Sequence, residues 1–173
     1  KVEQLKAGDA GIDVFLQGKQ VRHAGVVLAG GAWSHLLLRD LGLKVPLAAE
    51  RGYHLTLPQA RGRLRHMLSS TDRNVVLAPL DSGLRIVGFS EYARLYSTPI
   101  EKRYGQLAHH LQRLLVDVDP ETPDVEHWVG IRPTLPDSLP VIDLHPADSR
   151  IGMVFGHQHL GVTQAAISAR LVS

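Results

Sequence analysis

Apolar and polar positions change period along the chain, and each change marks an element. Residues 2 to 28 alternate in short runs broken at Gly8-Asp9, Gly11 and Gln17-Gly18-Lys19-Gln20, which predicts short strands, with a tight hairpin at the last break. Val26 to Ala29 is a continuous apolar run, the pattern of a strand buried on both faces, and it ends in Gly30-Gly31. Ala32 to Leu41 then carries a Leu36-Leu37-Leu38-Leu41 stripe that predicts a helix, stopped by Gly42 in the left-handed conformation. Pro46 to Pro58 reads as a strand interrupted by Gly52, and Asn74 to Pro79 with Leu84 to Phe89 reads as a hairpin around Asp81-Ser82-Gly83.

The period turns helical after Thr98. Thr98 is placed to be an N-cap, Pro99 the first helical residue and Glu101 the capping-box acid, while Tyr104, Leu107, Ala108, Leu111, Leu114 and Leu115 fall on one face. Asp117 to Pro123 is a polar connection. Glu126 to Ile131, Leu139 to Ile142 and Ile151 to Phe155 read as strands, and a last helix begins near Gly161. The chain has no internal repeat and no low-complexity tract.

Composition narrows the classes. A length of 173 residues, 44% of them hydrophobic, suits one or two folded domains with a real core. The net charge is only +2, and the densest basic run, Arg61-Gly62-Arg63-Leu64-Arg65-His66, has no interleaved aromatics, so it reads as a solvated loop and not as a nucleic-acid surface. Without cysteine there is no disulfide, thiolate or sulfur-ligated zinc, which fits a cytoplasmic protein. No apolar run reaches membrane-spanning length, and no secretory signal pattern opens the chain. A start at Lys1 and an end inside a helical pattern lead us to expect a fragment of a longer protein.

Three stretches carry chemistry. Gly30-Gly31-Ala32-Trp33-Ser34 turns a strand into a helix start, whose unpaired N–H groups suit an anion. Trp128-Val129-Gly130-Ile131-Arg132-Pro133 sets a guanidinium beside a proline-stiffened turn. That fork matches a carboxylate bidentately, in a ligand or in Asp137 or Asp143. Gly156-His157-Gln158-His159-Leu160-Gly161-Val162-Thr163 leads into the last helix, where Gly161 is either an ordinary cap or a close approach to an electron-rich group. His157 and His159 have no third ligand at metal spacing, so no metal is expected.

Together, and joined by Leu135 to Ile142, these stretches resemble the C-terminal part of the FAD-dependent D-amino-acid oxidase and dehydrogenase family. The resemblance is specific at residues 26 to 34 and 128 to 163 and looser between them. It implies an α+β fold like that of D-amino-acid oxidase: residues 1–46 and 128–173 form part of a FAD-binding domain, and residues 47–127 form an antiparallel-sheet substrate-binding domain with an amphipathic helix. It implies FAD as cofactor, held by Ala29, Gly30, Gly31, Trp33, Pro133, Gly156, His157, Leu160, Gly161, Val162 and Thr163. Arg132 would take the substrate carboxylate and His159 would face the substrate where some relatives carry arginine. Tyr53 and Ser90 are further candidates, Ser90 with Glu91 at a strand end that faces the cofactor in relatives; a packed tyrosine and a solvated strand end are the alternative readings of these two.

No residue is expected to act as a covalent catalyst, because the flavin carries the chemistry. The implied reaction is hydride transfer to FAD from the carbon bearing the nitrogen of an amino or imino acid. Asn74 to Leu77 lacks the active-site tyrosine of some glycine and sarcosine oxidases, so the sequence leans toward dehydrogenases of D-amino acids or hydroxyproline. The dinucleotide fingerprint Gly-x-Gly-x-x-Gly is absent from the chain, so it alone is expected to hold little FAD. The alternative is a non-catalytic interaction subunit without flavin, and an oligomer or a partner subunit fits either reading.

Overall fold

A computed structural model describes residues 1–172. In chain order the elements are β1 (Val2–Gly8), β2 (Gly11–Leu16), β3 (Lys19–His23), β4 (Val26–Leu28), α1 (Ser34–Asp40) and β5 (Ala48–Leu57). They continue with β6 (Leu68–Ser70), β7 (Val75–Leu80), β8 (Gly83–Ala93), α2 (Lys102–Leu114), β9 (Glu126–Thr134), β10 (Val141–His145), β11 (Asp148–Phe155) and α3 (Gly161–Val172). The fold is α+β. It divides into two compact units, residues 1–49 with 132–173, and residues 50–131. No helix among the described residues is long and apolar enough to cross a membrane.

In the first unit β1, β2 and β3 form an antiparallel meander. Its second turn is the hairpin expected at Gln17-Gly18, where both residues have positive φ (50° and 73°), the backbone twist that two-residue hairpin loops require. The second sheet has the order β10-β11-β4, with β11 antiparallel to β10 and parallel to β4. Alternation sends Leu28, Met153 and Phe155 into one core with Leu5 and Leu38. On the other face Gly152 lets α3 approach, since a Cβ there would lie 2.8 Å from a Val172 methyl. Burying a side chain such as Leu38 or Phe155 stabilises the unit by about 1.5–3 kcal/mol.

Two expectations change here. The apolar run at Val26 is not buried on both faces among the described residues: Val27 is 58% exposed and lines a cavity with Ala29 and Val154. The helix expected from Ala32 to Leu41 is a 3-10 turn over Gly31–Trp33 followed by the seven-residue α1. It ends as Gly42 requires, with φ 79°, Gly42 N–H donating to Arg39 O and Leu43 N–H to Leu38 O.

The second unit is one sheet, β6-β7-β8-β5-β9, which the chain enters at Glu50 and leaves after Ile131. Tyr53, Leu55 and Leu57 of β5 point to one face and pack with Leu77, Ile86 and, from α2, Leu107 and Leu111. Gly52 does not break β5, which runs unbroken for 10 residues. The β7–β8 hairpin turns at Asp81-Ser82, and Gly83 (φ 140°) is required because a Cβ would collide with the Leu57 backbone.

The apolar face of α2 is buried as its period predicts. Its start differs. No side-chain cap forms, the helix begins at Lys102, and Thr98 instead offers its carbonyl to Arg51 at 2.9 Å. Strand β9 also runs farther than its pattern predicts, through Arg132-Pro133-Thr134, so Arg132 stands in a strand and the turn follows at Leu135 to Ser138.

Candidate functional site

In the first unit the parallel pairing of β4 with β11 aligns their carboxyl ends, Val26 with Ile151 and Leu28 with Met153. Both strands therefore discharge at one edge of the sheet. One leads through Gly30-Gly31 into α1, which shares the core of Leu28 and Phe155, and the other leads through residues 156–160 into α3 on the opposite face. A crevice outside parallel strand ends, where successive connections part to opposite faces, is where open α/β sheets bind ligands.

Two cavities open here. One of about 480 Å³ is lined by Val27, Ala29, Val154, His157 and Gly161 with the small residues of α3. Another of about 930 Å³ is lined by Ala29, Gly30, Trp33, Leu36 and Leu37 with the start of β1. Both lie within the size range of ligand pockets.

The loop before α3 is held from several sides. Gly156 has φ 87°, and a Cβ there would lie 2.7 Å from Leu135 Cδ1. Gln158, also left-handed at φ 50°, donates its N–H to Pro133 O at 3.2 Å and so joins the loop to the end of β9. Leu160 N–H donates to His157 O at 2.8 Å, and the His157 Nε2 lies 2.8 Å from the Ser168 hydroxyl on α3. Burial holds the His157 imidazole below its ordinary pKa, which favours the neutral ring. Pro133, Gly156, His157 and Gly161 are thus assembled locally, with Ala29 across the smaller cavity. Arg132 is half-buried on β9, whereas His159, Leu160, Val162 and Thr163 are exposed.

Three features stand out in the loops at these strand ends. Gly31 has φ 55° with open space around it. Gly161 has no such conformational need, and a Cβ there would meet only His157 Cβ at 3.8 Å, so no protein atom demands glycine. Among the described residues Ser34 Oγ, Gln158 Nε2 and Gln164 Oε1 are buried without a partner.

In the second unit Tyr53, read from sequence as a cavity residue, has 0% exposure: its ring is core. Its hydroxyl donates to Glu91 Oε2 (3.3 Å) and accepts the Ile100 N–H (3.1 Å). Ser90 donates to Glu50 Oε1 at 2.6 Å.

Sequence reasoning missed Arg51, which is 3% exposed and binds the carbonyls of Thr98 (2.9 Å), Ser97 and Arg94 (3.4 Å), the Ser97 hydroxyl (2.9 Å) and Glu91 (3.4 Å). Its signal was a charge at the head of a run buried from residue 51 to 57, visible only once burial is known. Arg51→Met should strand this set and cost on the order of 3–5 kcal/mol. Urea unfolding checks this, with Arg51→Lys expected to recover only part; a loss below about 1 kcal/mol, the scale of an exposed pair, would show that the clasp contributes little.

His54, 9% exposed, has its pKa lowered from 6.5 to about 4 by burial, with a smaller contribution from Arg85. The folded state disfavours the proton that the unfolded chain accepts, so stability is complete above pH 6.5 and falls as pH drops toward 4, by at most about 3 kcal/mol. His54→Gln should flatten that slope in denaturant midpoints measured between pH 7 and pH 4. An unchanged slope would assign the acid sensitivity to other groups.

A family model described as FAD dependent oxidoreductase matches residues 1–173. A D-amino-acid oxidase of Bradyrhizobium diazoefficiens is 31% identical over 169 residues, 96% of this chain and 40% of its own. A D-amino acid dehydrogenase of Paramagnetospirillum magneticum is 31% identical over 171 residues, 98% of this chain and 40% of its own. Among solved structures, glycine oxidase from Geobacillus kaustophilus superposes with a TM-score of 0.78 at 20% identity, over 99% of this chain and 46% of that one. The chain therefore spans less than half the length of each of these three proteins.

Proposed function

The chain belongs to the FAD-dependent oxidoreductase family along its whole length, and from that premise we propose that it forms the flavin edge and the substrate sheet of an enzyme oxidising the C–N bond of an amino or imino acid. Residues 1–46 and 128–173 are read as part of the FAD-binding domain and residues 47–127 as the substrate-binding domain. The observation that carries the reading is the parallel pairing of β4 and β11, which sets the Gly30-Gly31 turn and the Gly156 to Gly161 loop at one sheet edge.

The residues present fit FAD, the cofactor of this family. Ala29, Gly30, Gly31 and Trp33 line or adjoin the larger cavity, and Gly161 leaves room for a flat group at the start of α3. With Pro133, Gly156, His157, Leu160, Val162 and Thr163 they are the proposed cofactor contacts. When bound, FAD supplies the hydride acceptor.

The chain's own groups then orient and polarise. Arg132 offers a planar fork for the substrate carboxylate, and β9 keeps its backbone extended, with Pro133 O held by Gln158. The N–H groups at the start of α3 offer partial positive charge where negative charge gathers, and they need not reorganise. His159 stands exposed near that start as a second substrate contact. The substrate α-hydrogen leaves with its electron pair and one N–H proton is released, giving an imine that water hydrolyses to a keto acid and ammonia, or a cyclic imine from an imino acid.

The test is an anaerobic absorbance titration of the whole, flavin-loaded protein with D-amino acids, D-proline-type imino acids, glycine and sarcosine. Bleaching of the flavin band by one of these classes is expected. Full oxidation persisting with all of them, while dithionite still bleaches the flavin, would sink the proposal.

A further inference from the structure

On the second unit, the sheet face turned away from α2 carries a constellation that the proposed machinery does not use. His54 and Thr56 alternate with Tyr53, Leu55 and Leu57, whose side chains go to the α2 core, so they occupy the opposite face. There the Trp128 indole stacks on His54, with centroids 4.5 Å apart and planes 13° apart. Two residues on, a Cβ at Gly130 would collide with the Trp128 ring. Glycine at 130 thus lets the indole lie flat on the sheet, with His54 and the Gly130 backbone beneath it. Trp128 is 52% exposed, the share expected of a plate with one face covered and one open.

The surroundings specify what covers the open face. His54 stays uncharged down to about pH 4, so the plate is neutral at physiological pH. Arg85 stands on the same sheet face, its Nε donating to Thr56 Oγ1 at 3.2 Å, and Thr56 is fully buried. Among the described residues the Arg85 Nη groups find no acceptor. A flat apolar plate beside a fixed cation with unused donors complements a planar ring bearing an oxygen.

We propose that Trp128, backed by His54, is a specificity platform for the ring of an aromatic amino acid, with Arg85 taking an oxygen substituent on that ring. The proposal deepens the amino-acid reading above and rests on it for the identity of the molecule that brings the ring, but ring binding is measurable without flavin.

The experiment is ligand-observed saturation-transfer NMR on the 173-residue chain with three probes: D-tyrosine, D-phenylalanine and D-cyclohexylalanine. The two planar rings should bind, and the puckered ring at least about tenfold more weakly, since it loses the face-to-face contact. Trp128→Leu should abolish the ring signal, Trp128→Phe should keep part of it, and Arg85→Met should bring D-tyrosine down to the level of D-phenylalanine. The Phe variant preserves the test should the Leu variant fail to fold.

Equal binding of all three probes, an unchanged signal in a folded Trp128→Leu chain, or a shift of oligomeric state on sedimentation in that variant would overturn the proposal, the last by showing that a second copy covers the plate. If the rings bind through Trp128 while no amino acid bleaches the flavin, the oxidoreductase reading fails and the platform stands. If amino acids bleach the flavin but ring binding ignores Trp128, the platform alone fails.

Discussion

Arg132→Ala should lower kcat/KM for the preferred amino acid in the whole protein by about 1.5 to 3.7 decades, and hardly change it for the matching amine without a carboxylate. A charge-assisted guanidinium–carboxylate pair removed on one side costs on the order of 2–5 kcal/mol, which is roughly 30- to 5,000-fold in rate. Arg132→Lys keeps the charge and loses the fork, so it should recover only part of this. Arg132 stands in β9, and the neighbouring Pro133 carbonyl accepts the Gln158 N–H. The amine never uses the contact. Stopped-flow flavin reduction with both compounds in wild type and both variants decides the matter: equal losses for amino acid and amine would make Arg132 a structural residue and leave the carboxylate without its proposed partner.

Gly161→Val should empty the whole protein of most of its FAD while leaving it folded. A Cβ at Gly161 meets nothing nearer than His157 Cβ at 3.8 Å, and valine costs a helix less than glycine does, so neither packing nor backbone argues for a loss of stability. What a β-branched side chain takes away is the space above the start of α3, together with the approach to its N–H groups. We expect the flavin-to-protein ratio after purification to fall at least about tenfold, the equivalent of about 1.4 kcal/mol or more of binding, with an unchanged melting temperature for the flavin-free protein. A variant that keeps its flavin and its reduction rate would show Gly161 to be an ordinary helix cap.

What the sequence determined by itself is local. The α2 face from Tyr104 to Leu111 follows from apolar residues three and four apart, and the turns at Gln17-Gly18 and Gly42 follow from residues that tolerate positive φ. The flavoprotein motifs were legible in the same way, as residue types in short order. Wherever a distant partner competes, the local rule loses. Thr98 has the makings of an N-cap, but its carbonyl serves the buried Arg51 and α2 starts four residues later. Tyr53 has the makings of a cavity residue, but its hydroxyl bridges Glu91 and Ile100 inside the core.

Only the tertiary structure decided that β4 lies beside β11, so that two glycine-rich turns from opposite ends of the chain share one sheet edge. Only it laid Trp128 flat over Gly130 and His54. The reason is physical: periodicity and turn propensity report what a residue does within one or two turns of itself, whereas strand order and the burial of a charge or an aromatic ring depend on desolvation and hydrogen bonding summed over partners far away in sequence.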